Sequence, residues 1–150
     1  VTEAAPPLYW ATLVESLRDE FPEYRPVYDL LVEEYFGERP DAHPAFGQSF
    51  LPSFVIPMVS ATDRGDPTDA GLPMPLPARG SVEATAILRR AFDFFERMGR
   101  SPDANVRDVL YATVVPRLLD HDGLEEAVKP WFGPALRVIA ERVDDIGGDL

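Results

Sequence analysis

From Val106 to Asp120 the chain is apolar on almost every side of a helix. Val106, Val109, Leu110, Tyr111, Val114, Val115, Leu118 and Leu119 leave Arg107, Asp108, Thr113, Arg117 and Asp120 as its polar positions. In a chain with no membrane-length apolar run, such a helix must be wrapped by other helices. The flanking sequence supplies them. Ser81 reads as the N-cap of a helix whose inner face carries Ala84, Ile87, Leu88, Ala91, Phe92, Phe95 and Met98. Upstream, Trp10, Leu13, Val14, Leu17 and Phe21 recur at helical spacing after Pro7. Val27, Leu30, Leu31 and Tyr35 form a second stripe, and Gly37 reads as its left-handed cap. Downstream, Leu136, Ile139, Ala140, Val143 and Ile146 mark a last helix that opens at Gly133-Pro134. The spacing predicts one all-α domain over residues 1–150. It has six or seven helices in a HEAT-like or orthogonal helical bundle, with the 102–120 helix at its centre.

The prolines qualify this picture. Pro116 has no N–H for the carbonyl of Ala112, so the central helix is expected to kink. The stretch from Glu38 to Gly47 reads as a loop. Ser49 then caps a third helix, with Pro52 in its first turn and Pro57 bending or ending it. A strand over Phe54–Val59 is the rival reading. Residues 59–80, which include Asp63, Gly65, Asp66, Pro67, Asp69, Gly71 and four further Pro and Gly positions, read as one long irregular loop. Loops of this length are either linkers or binding segments.

The chain has 26 acidic against 14 basic residues and a net charge of −12. Residues 1–75 hold 13 acidic residues against four Arg, so the excess lies mostly in the first half. Such a chain repels phosphate backbones and anionic membranes, and attracts a basic partner. No nucleic-acid or membrane role is therefore expected. Cysteine is absent, which excludes disulfides and thiolate chemistry. With no secretory leader and no apolar run of spanning length, the expected compartment is the cytoplasm. The chain begins with Val1 rather than Met, which leaves room for an upstream segment.

Catalytic and metal motifs fail on residue supply. His121-Asp122 matches the dipeptide of metal-dependent HD phosphohydrolases, but those sites need further His and Asp ligands. The chain's other histidine, His43, falls in a loop by this reading. Asp63-x-x-Asp66-x-x-Asp69 lacks the alternating ligands and the distal Glu of a calcium loop. No phosphate-binding Gly-rich loop and no nucleophile elbow occurs. No catalytic residue, metal or cofactor is therefore expected. Trp10, Trp131 and Phe132 read as core, and Arg89–Asp93, Asp93–Arg97 and Glu96–Arg100 as surface i,i+4 pairs. What remains is an acidic surface. Glu33, Glu34, Glu38 and Asp41, with the loop residues Asp63, Asp66 and Asp69, are the candidate partner-binding residues. Asp29 and Glu33 are like charges at i,i+4, an arrangement that costs helix stability.

One further pattern runs from Phe92-Asp93-Phe94-Phe95-Glu96-Arg97-Met98 through Ser101-Pro102-Asp103-Ala104-Asn105-Val106 and Val114–Leu119. It ends in Trp131-Phe132-Gly133-Pro134 and Leu136. It resembles the C-terminal half of small uncharacterised bacterial all-helical proteins, some of them immunity-type. The resemblance covers Phe92 to about Ile146 and carries over no functional residue. It implies a non-catalytic, interaction-based role, with an immunity-type inhibitor of a basic partner as one form of it. Two alternatives stand beside this expectation. One is a small-molecule-binding or enzymatic helical domain with an interhelical pocket. The other is a helical module of a larger protein.

Overall fold

The computed structural model of the chain describes residues 7–59, 76–78, 80–119 and 124–148. Among these residues there are seven helices and no strand, so the fold is all-α. α1 (Leu13–Glu20) follows a 3-10 turn at Trp10–Thr12, and α2 (Arg25–Glu34) follows one at Pro22–Tyr24. α3 spans 42–59 as Ala42–Pro44, a π-helical stretch Ala45–Val55, and Ile56–Val59. α4 is Val82–Gly99. α5 spans 104–119 as Ala104–Val109, a second π-helical stretch Leu110–Val114, and Val115–Leu119. α6 spans 124–131, and α7 is Pro134–Gly148.

Local chemistry sets several of these boundaries. The Ser81 hydroxyl accepts from the Ala84 N–H at 3.1 Å and caps α4 as its sequence position predicts. Asp103 caps α5 through the Asn105 N–H at 3.0 Å. Its second oxygen accepts from the Trp10 N–H at 2.8 Å. The buried Ser101 hydroxyl donates to the Leu8 carbonyl at 2.5 Å. Leu8 and Trp10 are thereby pinned to the α4–α5 corner.

α3 departs most from expectation. It begins at Ala42, inside the stretch read as a loop. Ser49 lies buried within it rather than capping it, and Phe54–Val59 is helical. Pro52 sits in the π stretch, where the wider turn moves the preceding carbonyls off the proline ring. In α5 the interruption expected near Pro116 takes the form of the π stretch just before it.

One apolar core runs through the described helices. Its middle is aromatic and centred on α3. The Phe50 ring lies 4.9 Å from Tyr24 and 5.1 Å from Phe21, both near edge-to-face. Phe46, Phe54, Phe94 and Phe95 complete the cluster, all fully buried. α5 buries Val106, Val109, Leu110, Val114, Val115 and Leu118, but it is not wrapped on every side. Arg107, Asp108, Ala112 and Arg117 keep a strip of it exposed.

Tyr24 is a fully buried ionisable side chain of this core, and its hydroxyl donates to Ser49 Oγ at 2.7 Å. Burial raises its pKa well above the ordinary 10.0, more than the Ser49 hydrogen bond lowers it. The folded state therefore holds this proton after an unfolded chain has released it. The contribution is intact below pH 10.0 and is lost as pH rises further. Tyr24→Phe should flatten this alkaline loss in denaturant titrations between neutral pH and about pH 11, while lowering neutral-pH stability by about 1 kcal/mol through the orphaned Ser49.

Candidate interaction face and interhelical groove

The acidic residues of the first half divide into two groups. Those on α1 and the turn after it are neutralised within the molecule. Glu15 meets Arg39 at 2.5 Å, Glu20 meets Arg97 at 2.5 Å, and Glu23 pairs with Arg90. Burial pushes the Glu15 carboxyl up, but the hydrogen bond and charge of Arg39 outweigh it and hold the pKa below its ordinary value. The two α4 arginines also lie 5.5 Å from the rings of Phe21 and Phe94. These contacts fasten the α1–α2 corner to α4.

The carboxylates at the end of α2 and just beyond it behave differently. Glu33, Glu34 and Glu38 are exposed, and among the described residues none makes an ion pair or a side-chain hydrogen bond. Asp41 stands exposed before α3 and makes no side-chain cap bond. Glu33 and Glu34 occupy the last turn of α2, which holds no basic residue. They therefore face the negative end of the helix dipole without a compensating charge. Asp63, Asp66 and Asp69 lie outside the described residues, as does His121-Asp122.

The same helix end holds a residue that the sequence pattern does not single out. The Gly37 N–H donates to the Val32 carbonyl at 2.9 Å, and the Phe36 N–H to the Glu33 carbonyl at 3.1 Å. This bond pattern defines a left-handed helix cap whose left-handed position is Phe36, at φ 57°. The cap therefore falls one residue earlier than Gly37, although Gly37 also takes a positive φ of 85°. A side chain in this conformation costs about 1–2 kcal/mol. Phe36 recovers none of that by burial, because 96% of it is exposed. Leu30, on the same helix, is also exposed at 40%. α2 thus ends in an aromatic side chain standing free among unpaired carboxylates.

The second feature lies where the two π stretches meet. A Cβ on Gly47 would fall 2.8 Å from Thr113 Cγ2, so glycine alone lets α3 and α5 approach this closely. The contact turns the Thr113 hydroxyl toward His43, whose Nδ1 lies 2.5 Å away. His43 Nε2 points to Asp108 at 3.6 Å, and the Trp10 ring lies 6.1 Å from the imidazole. Beside them a groove of ≈ 490 Å³ opens between α3 and α5. His43 is thus a helical residue packed on Thr113, not a loop residue. The sequence hint is Gly47 opposite the one β-branched polar residue of the central helix, legible only once the two helices are paired. Phe132 is buried as expected of a core residue, whereas Trp10 and Trp131 are half-buried against the edge of the core, Trp131 stacking on Phe92 at 5.7 Å. Among the described residues no group of three or more His, Cys, Asp or Glu could hold a metal ion. No described helix is long and apolar enough to cross a membrane. Comparison of the chain with protein-family models, with curated proteins and with solved structures gives no match.

Proposed function

We propose that this protein acts by binding a basic protein partner through the C-terminal end of α2. The observation that carries this reading is Phe36. Three features unfavourable to the isolated fold coincide there: a left-handed phenylalanine, an exposed aromatic ring, and an unpaired acidic last turn. Backbone strain and exposed aromatic surface at one position are common where a partner completes the structure. Phe36 supplies a rigid apolar anchor. Glu33, Glu34 and Glu38 supply a rim that steers a cationic surface toward it. Neutralisation of a basic partner, as an immunity-type inhibitor would achieve it, is one use consistent with this face.

The charge arm of the proposal has a direct test. In a triple variant, Glu33→Gln, Glu34→Gln and Glu38→Gln, association with the natural partner should slow by about tenfold or more at low salt. The difference should shrink at high salt as the charges are screened. Unchanged association at low salt would refute the acidic-face reading.

A further inference from the structure

The groove between α3 and α5 is built from unusual parts. Two helices adopt the π register at the same level, and π turns in otherwise α-helical segments occur frequently at functional sites. Gly47 permits the close approach, and Thr113 and His43 lock onto each other across it. His43 Nδ1 and the Thr113 hydroxyl share a hydrogen bond, and Nε2 lies 3.6 Å from an Asp108 oxygen. The imidazole is thereby fixed as one wall of the groove. Gly47, Ala112 and Pro116 contribute small residues to its lining. The open edge carries Gln48 and Arg117, both exposed. Among the described lining residues Arg117 is the one with a permanent charge, in a chain whose net charge is −12.

We infer that this groove binds a small organic carboxylate. It is an open groove of ≈ 490 Å³, with room to seat a small organic acid along one side. The planar fork of Arg117 matches a carboxylate through two parallel hydrogen bonds, and the Gln48 amide offers a further donor. A dianion such as a phosphate ester finds one fixed cation here and the repulsion of an acidic protein around it. A monoanion with a flat body meets the small residues Gly47, Ala112 and Pro116 and the face of the imidazole. The site is separate from the α2 face and does not depend on the proposal made for it.

Sodium benzoate is the probe, with benzamide as its uncharged counterpart. Histidine ring ¹H–¹³C spectra of the whole chain report on His43. Benzoate should shift the His43 signals saturably in the millimolar range and act far more strongly than benzamide at matched ionic strength. Arg117→Ala should weaken the response by roughly tenfold, and Arg117→Lys by less, since it keeps the charge but loses the fork. Three results would each overturn the inference: no saturable shift at His43, equal responses to benzoate and benzamide, or an Arg117→Ala variant that responds like the wild type. Arg117 is exposed, so its replacement leaves the folded chain available for measurement.

Discussion

Replacing Glu96 with alanine should lower folding stability by about 3 kcal/mol, because two backbone N–H groups lose a charged acceptor. Glu96 reads from the sequence as one half of a surface pair with Arg100, yet it is 7% exposed. Its two oxygens accept from the Ala135 and Leu136 N–H groups at 3.0 Å each. The α4 carboxylate thus caps the start of α7 from another helix, where the exposed N–H groups and the dipole both favour an anion. Gly133 makes room for it, since a Cβ there would lie 2.6 Å from the carboxyl group. Gly133→Ala should therefore displace the carboxylate and cost about 1–3 kcal/mol by overpacking. In a chain that already carries Glu96→Ala, the same change should cost much less, because the group it collides with is gone. A double-mutant cycle by urea unfolding measures this coupling, and additive losses would show that Gly133 acts independently of the cap.

Phe36→Gly should do the opposite to the isolated protein and raise its stability by about 1 kcal/mol, or roughly 3 °C in Tm. Glycine takes the left-handed position without steric cost, and the exposed ring has no burial to lose. The same change should weaken partner binding by about 2 kcal/mol or more, the scale of an aromatic hot spot. A substitution that stabilises the fold and removes the interaction separates a functional residue from a structural one. Loss of stability in the variant would mean instead that Phe36 is held by contacts within the chain.

The fold class is legible in the sequence because the apolar stripes of α1, α2, α4, α5 and α7 repeat at helical spacing. The cap at Ser81 also sits where side-chain chemistry puts it, whereas α5 opens at Ala104 with Asp103 as its cap, two residues after the expected start at 102. α3 is misread because proline rules written for α-helices exclude Pro52 from a helix interior, whereas a π register accommodates it. Glu96 is misread because its i,i+4 spacing to Arg100 is indistinguishable from an exposed pair until α7 is packed beside it. Of the candidate site, the acidic cluster of Glu33, Glu34, Glu38 and Asp41 is legible in the sequence, whereas the engagement of the neighbouring Arg39 by Glu15 is visible only in the fold. The anchor of that cluster is not legible either. In the sequence Phe36-Gly37 reads as a helix ending at a glycine, and only the backbone bonds assign the left-handed position to the phenylalanine. His43 and Thr113 lie far apart in sequence, and only the pairing of α3 with α5 brings them together.

The central claim is that the end of α2 is a partner-binding face anchored by Phe36. The most direct measurement is quantitative capture from source-cell lysate, with wild type, Phe36→Gly and the triple Gln variant as parallel baits at low and high salt. The account predicts a basic protein retained by wild type at low salt and lost with either variant, although the glycine variant is the more stable bait. Recovery of the same proteins in the same amounts by all three baits would contradict it.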